Sequence, residues 1–512
     1  MLKRRFTEEQ QMFREAYRKF LYENLVPNIE TYRQNRIIDR EVFRKAGEQG
    51  FLMVWPSEEF GGMGDNDFRF EQIIIEENIS AHTGDWYATL HSRLVGPYFT
   101  RFGNEEQQRR FLPKCVTGET ILAIGMTEPD AGSDLKGMRT TAVDMGDHYV
   151  LNGSKTYISN GINADVVIVA AKSDVANNPK QIGLFIVERG MEGFERGRNL
   201  VKMGQKAQDT AELFFNNVKV PKANVLGDPA KGMHYLMEGL AEERLLGTVE
   251  YMTRAQKALD ITVDFVKQRK LFGQSLAEFQ NTQFKLAALQ AEADALQVYV
   301  DRCVESFNAD EFTSVDAAKA KYLTSEFACR CIDACLQLHG GAGYMDEYPI
   351  SRMYTDIRVG RIYAGSSEVM QLIISRDMLA GSDRSSSIAI LRSNRLSQYS
   401  CDGYAMSPTG GFIGLCGSRT RSARDRSKAQ KKAPLAPFLG DVFVLNDRLH
   451  RCHVAAQLFA HDLYRVVANF CIDFDQFAVV DAEVIKAKTF ADYVGAYFLH
   501  EVCKQWTASV VE

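Results

Sequence analysis

Between residues 120 and 228 the chain changes texture, and that change limits the possible folds more than anything else in it. Short runs such as HYVLNGSKTYI, DVVIVAA, IGLFIVE and AELFFNNVKV are rich in Val, Ile, Phe and Tyr and are separated by Gly, Asn and Asp, as strands joined by turns are. Both flanks are helical in pattern. Residues 5 to about 119 read as helices, with Thr7 as an N-cap ahead of Glu8 and Glu9 and with punctuation at Trp55-Pro56 and Gly61-Gly62. From Gly232 to about Arg376, apolar residues recur every three and four positions with few prolines, which predicts a bundle of long helices. The fold class is therefore α+β. It comprises a helical domain over 1–119, a β domain over 120–230 and a helical bundle over 231–381.

Beyond Gly381 the texture changes again, to SDRSSS, a Gly-rich stretch and SRTRSARDRSKAQKK. Residues 382–433 are expected to be a solvated, disordered linker. Residues 434–512 hold enough apolar residues for a few helices, as in VAAQLFAHDLYRVVANF, but no constellation of chemical groups. No repeat of solenoid period occurs.

The chain has 512 residues, enough for three or four units with sizeable cores. A formal net charge of −5 gives no electrostatic reason to expect a nucleic-acid or anionic-membrane partner. No apolar run reaches the roughly 18 residues a membrane span needs, and the opening MLKRRFTEEQ has no apolar signal core. A cytoplasmic protein is the expectation, or a mitochondrial matrix protein if the chain is a processed form. The ten cysteines are scattered, and Cys329, Cys331 and Cys335 fall in an apolar helical run rather than in paired CxxC knuckles, so reduced core thiols and no metal site are expected.

Two segments stand where strands end: Ile124-Gly-Met-Thr-Glu-Pro-Asp-Ala-Gly-Ser133 and Lys155-Thr-Tyr-Ile-Ser-Asn160. Hydroxyls at Thr127, Ser133 and Ser159, with turn-forming Pro129 and Gly132, could offer donors to a polar ring or a phosphate. On residue types alone, such a turn is more often only a turn. Further along come Arg269-Lys-Leu-Phe-Gly273 with Gln280, Gln337-Leu-His-Gly-Gly341-Ala-Gly-Tyr344, and Tyr363-Ala-Gly-Ser-Ser-Glu368. Together, in this order across residues 5 to 380, the five motifs resemble the acyl-CoA dehydrogenase family, with the long-chain branch nearest. Met203-Gly-Gln-Lys-Ala-Gln-Asp-Thr-Ala-Glu-Leu-Phe-Phe215 also resembles that branch.

The resemblance implies an N-terminal helical domain, a β-barrel-like middle domain and a C-terminal four-helix bundle, with FAD as cofactor. Ile124, Met126, Thr127, Ser133, Tyr157, Ile158 and Ser159 would border the flavin ring and ribityl chain. Arg269, Phe279, Gln280, Gln337, Gly340 and Gly341 would bind the ADP half of a neighbouring subunit's FAD, so a homotetramer is implied. Ser366, Ser367 and Glu368 would complete the flavin site. Ser133, Arg244, Ala364 and Gly365 would touch the acyl-CoA. An electron-transfer flavoprotein would be the electron acceptor.

Many family members carry the catalytic glutamate directly after the tyrosine of the last motif, where this chain has Ala364. In the long-chain and isovaleryl branches the base instead precedes an arginine on the first long helix of the C-terminal domain, which Glu243-Arg244 matches. At helical period Glu243 shares a stripe with Leu236, Leu240 and Gly247, while Glu242 turns toward Glu238 and Val249. Most helix glutamates are solvated. Glu242 and Glu368 are rival bases. The resemblance implies that the thioester oxygen accepts hydrogen bonds from a ribityl hydroxyl and from the N–H of residue 364, which alanine retains. The alternatives to an acyl-CoA dehydrogenase are an oxidase using oxygen and a non-catalytic flavoprotein scaffold.

Overall fold

The computed structural model describes Arg4 and residues 6–175 and 178–380. The linker and extension expected over 382–433 and 434–512 lie outside the described residues.

The N-terminal part is helical: α1 (Glu8–Asn24), α2 (Ile29–Asn35), α3 (Arg40–Glu48), α4 (Arg69–Ser80), a π-helical segment (Leu90–Val95), α5 (Pro97–Phe102) and α6 (Glu105–Val116). Thr7 caps α1 in a reciprocal box with Gln10, satisfying two helix-end donors at once. Behind this cap, Tyr17, Phe20 and Leu21 are buried and pack with Phe43, Phe51 and Trp86 in one aromatic core.

The middle part is a curled seven-stranded sheet of β1 (Leu122–Gly125), β2 (Thr141–Asp144), β3 (His148–Ser159), β4 (Val166–Val175), β5 (Asn178–Glu188), β6 (Phe194–Asn199) and β7 (Thr210–Pro221). The order is β1-β4-β2-β3-β7-β6, with β5 also paired to β4; β4 runs parallel to β1 and β2, and the other pairs are antiparallel. Strand β4 explains why the sheet sits inside the molecule. Val167, Val169 and Ala171 face the sheet's own core with Leu213 and Phe215, while Val166, Ile168 and Ala170 face a core shared with the helices. A strand buried on both faces reads as an unbroken apolar run, which is what DVVIVAA is.

The last part is built on α7 (Gly232–Gln268), with a two-residue hairpin of β8 (Lys270–Leu271) and β9 (Gln274–Ser275), then α8 (Gln280–Asn308), α9 (Ser314–His339), α10 (Pro349–Ile357) and α11 (Ser367–Leu379). Cys329, Cys331 and Cys335 lie on α9 as free thiols, the latter two fully buried, in keeping with the reading of core cysteines.

Glu242, which turns toward Glu238 and Val249 as its helical position requires, is 3% exposed and accepts hydrogen bonds from Arg93 and Arg101 of the N-terminal helices. At 37 residues, α7 runs through the shared core and buries Arg244, Glu250 and Arg254 as well. A period of 3.6 identifies the apolar face but is blind to acids whose partners arrive from another domain.

Candidate active site

Glu243 stands on α7 between two glycine notches. A Cβ at Gly239 would lie 2.4 Å from the hydroxyl of Tyr98, and one at Gly247 would lie 2.7 Å from the hydroxyl of Tyr251. The glycines thus let two phenols close on the helix one turn before and one turn after the carboxylate. Burial raises the phenol pKa values of Tyr98, Tyr87 and Tyr251, and the nearby charge of Glu243 adds to the effect in all three. A carboxylate walled by aromatic rings loses hydration, and burial pushes Glu243 up to about 7, against the pull of Arg244 and Lys321 in the other direction. The side chain keeps some accessible surface, as a group lining a cavity does.

The two rival acids differ in kind. Glu242 is held between Arg93 and Arg101, so both of its oxygens are already engaged by guanidinium groups rather than turned toward a cavity. Glu368 is exposed, and a hydrogen bond from Ser366 holds its carboxyl below the ordinary range.

The two cations beside Glu243, Arg244 and Lys321, both reach the Ala364-Gly365 turn that precedes α11. Both residues of the turn have left-handed backbone, with φ of 54° at Ala364 and 95° at Gly365. For alanine this region carries a steric cost. Arg244 Nε donates to the Ala364 carbonyl at 3.1 Å, and Lys321 Nζ donates to the Gly365 carbonyl at 2.7 Å. Ser366 then caps α11, accepting from the N–H of Val369; Ser367 is buried and donates to Glu326.

The β-domain segments meet at the ends of β1 and β3. Ile124 and Ile158 are buried, Met126, Thr127 and Ser159 half-buried, and Ser133 exposed. Tyr157 is 69% exposed with φ 61°, at a break in register between β3 and β7, where a bulge re-aims a side chain. Sequence reasoning missed what joins the segments. Lys155 is buried, and its amine reaches the Met126 carbonyl at 3.1 Å and Glu128 Oε1 at 2.7 Å, while the N–H of Thr156 donates to the Thr127 carbonyl at 2.9 Å. Only the paired positions of Lys155 and Glu128 within the two motifs could have hinted at this.

Arg269, Phe279, Gln280, Gln337, Gly340 and Gly341 gather at the other end of the bundle, where Phe265 of α7 stacks on His339 of α9 at 4.2 Å. Arg269, Gln280, Gln337, Gly340 and Gly341 are exposed, and a Cβ at either glycine would meet open space. Among the described residues, no hydrogen bond or ion pair joins this group to Ser133 or Tyr157.

Three family profiles match in sequence: the acyl-CoA dehydrogenase N-terminal domain over residues 7–119, the middle domain over 123–218 and the C-terminal domain over 230–379. The chain belongs to the acyl-CoA dehydrogenase family. It is similar to the long-chain specific acyl-CoA dehydrogenase, mitochondrial, of Sus scrofa, with 42% identity over 380 residues that make up 74% of this chain and 88% of that protein. Among solved structures it resembles acyl-CoA dehydrogenase from Geobacillus kaustophilus, with TM-score 0.71 and 45% identity across 73% of this chain and 99% of that one. An acyl-CoA dehydrogenase from Bacillus anthracis, described as complexed with FAD, has TM-score 0.69 and 32% identity over 74% of this chain and 69% of its own. As a member of the acyl-CoA dehydrogenase family, the chain is an oxidoreductase, and its α+β fold is that of the family.

Proposed function

We propose that this chain oxidises a saturated acyl-CoA to the trans-2-enoyl-CoA, with FAD as cofactor and Glu243 as the base. The observation that carries the reading is the burial of the Glu243 carboxyl among Tyr87, Tyr98 and Tyr251, with its pKa raised to about 7. An α-proton beside a thioester is weakly acidic, and a carboxylate with raised pKa accepts it better than a solvated one. Glu243 takes that proton, and the electron pair left behind flows toward the α,β bond. When bound, FAD supplies the acceptor for the hydride that leaves the β-carbon. An electron-transfer flavoprotein would be the partner that takes up the electrons.

The thioester oxygen gathers negative charge during proton removal, and the N–H of Ala364 is the donor that meets it. Arg244, Gly365 and Ser133 complete the acyl-CoA contacts. Residues Ile124 to Ser133 and Tyr157 to Ser159 border the flavin. The half-buried backbone at Met126 and Thr127 and the exposed Tyr157 ring suit a large planar group laid across the ends of β1 and β3. Ser366, Ser367 and Glu368 close that site. Arg269, Phe279, Gln280, Gln337, Gly340 and Gly341 take the ADP half of a neighbour's FAD, the arginine as a forked partner for pyrophosphate, so the working enzyme is a homotetramer. The long-chain relatives favour a fatty acyl substrate. No helix among the described residues is long and apolar enough to cross a membrane, and a cytoplasmic or matrix enzyme is proposed.

The test is anaerobic flavin absorbance during titration with octanoyl-, palmitoyl- and isovaleryl-CoA. Bleaching in wild type, slowed about a hundredfold or more in Glu243→Gln, is expected for loss of a general base. Bleaching at equal rates in both would move the base elsewhere.

A further inference from the structure

The Ala364-Gly365 turn is held from two helices that are remote from it in sequence. Arg244 of α7 reaches across 120 positions to the Ala364 carbonyl, and Lys321 of α9 across 44 to the Gly365 carbonyl. Lys321 is fully buried, an unusual location for an ammonium group, because desolvating it costs several kcal/mol unless a partner compensates. Its neighbours do not neutralise it by a close pair. The nearby acid Glu326 is engaged by Arg361 at 2.8 Å and by Ser367, and Arg244 adds a second positive charge beside it. The hydrogen bond that Lys321 makes is to a backbone carbonyl, in a turn whose alanine occupies a backbone region unfavourable to side chains.

We infer that Lys321, together with Arg244, is a positioning residue: the two cations clamp the carbonyls of Ala364 and Gly365 and thereby fix the direction of the Ala364 N–H. The geometry gives the reason. A peptide is planar, so fixing the Ala364 carbonyl fixes the Ala364-Gly365 plane. With φ of Ala364 at 54°, in the small left-handed basin that also limits ψ, the N–H on its other side is held to a narrow range of directions. Fixing the Gly365 carbonyl in the same way prevents the turn from relaxing through its glycine. A donor aimed in advance at the developing charge stabilises it without reorganisation, whereas a free turn would flicker between orientations.

This inference rests on the reading of the site as an acyl-CoA dehydrogenase, and its test must be able to fail separately. Acetoacetyl-CoA serves, because its ionisation to the enolate requires no hydride transfer. The holoenzyme and Lys321→Met, Lys321→Gln and Arg244→Gln variants are loaded with acetoacetyl-CoA, and the pH at which the bound ligand becomes enolate is read from its absorbance. Thr324→Val, a buried change one turn further along α9, is the control for nonspecific damage. The expected result is a rise of about one pH unit or more in the enolate midpoint for each clamp variant, alongside, for the two Lys321 variants, a fall in kcat of about tenfold or more with little change in KM, because a misaimed donor forfeits part of the hundredfold or greater effect of such a group. Thr324→Val should leave the midpoint in place. An unmoved midpoint in the Lys321 variants would reduce Lys321 to a packing residue and overturn the inference. Failure of every acyl-CoA to bleach the wild-type flavin would instead overturn the dehydrogenase reading.

Discussion

At the scale of single residues, the chemistry turns on carboxyl groups placed where water is scarce. As the proposed base, Glu243 would have to be ionised to accept a proton, and burial raises its pKa to about 7. The rate of flavin reduction per unit of substrate, kcat/KM, should therefore rise as pH increases through about 7 and then level off, since this quantity reports the free enzyme's base. Stopped-flow reduction from about pH 5.5 to about pH 9 would trace that limb, and a flat profile would remove Glu243 from the role. Glu71 on α4 makes an independent prediction. It is 2% exposed, both of its carboxyl oxygens lack hydrogen-bond partners among the described residues, and burial raises its pKa to about 7, with Arg93 opposing and Glu242 adding to the shift. Because the folded-state value exceeds the ordinary one, the folded protein binds this proton more tightly than the unfolded chain does. Its contribution to stability is thus complete below about pH 4.5 and is lost as pH climbs through about 7. Glu71→Gln should raise stability at pH 8 by up to about 3 kcal/mol and leave it nearly unchanged at pH 4.5. Denaturant midpoints at the two pH values decide it; equal effects at both would mean that Glu71 is not protonated in the fold.

At the scale of elements, α7 is held in register by charge as well as by apolar contact. Glu242 is bound to Arg93 of the π-helical segment and to Arg101 of α5, and the Arg93 guanidinium lies 5.6 Å from the ring centres of Phe68 and Phe307. Glu242→Ala would leave Arg93 charged inside this aromatic cage and should cost about 3 to 5 kcal/mol, whereas replacing the pair with Arg93→Met and Glu242→Leu should recover most of the loss. Thermal melts of the single and double variants test this. The same element marks the boundary of what the sequence could convey. Helices and strands were legible because each repeats its own period: 3.6 in α7, and unbroken apolarity in β4 where both faces are covered. Glu243 was singled out as the candidate base through its neighbour Arg244, the gap left by Ala364 and the resemblance, and the structure adds that burial raises its pKa. The pairing of Glu242 was not legible, because its partners lie 149 and 141 positions away, and adjacent glutamates on a helix carry no sign of which one meets an arginine. Lys155 and Lys321 were hidden for a related reason. A lysine among apolar residues ordinarily reads as a stem that reaches water, and only the fold reveals a carbonyl waiting for its amine.

At the scale of the whole molecule, the question is which parts of the chain the cofactor site requires. Several large apolar side chains stand exposed on the bundle, among them Phe272 at 89%, Tyr344 at 83% and Leu379 at 83%. Phe272 and Tyr344 lie within the two motifs proposed to take the ADP half of a neighbour's FAD, where a neighbouring subunit would cover them. Flavin retention and assembly should therefore be linked. On dilution, FAD should leave as the tetramer dissociates, and added FAD should shift the equilibrium back toward tetramer by mass action. The family match ends at residue 379, so neither property should require anything beyond it. A chain truncated after Gly381 should run as a tetramer, carry one flavin per subunit and bleach with acyl-CoA at the full-length rate, as size-exclusion chromatography with in-line flavin absorbance and stopped-flow reduction would measure. A truncated protein that emerges smaller and colourless would make residues 382–512 part of the assembly. One that stays tetrameric but loses flavin would break the link between the two properties and make residues 382–512 part of the flavin site.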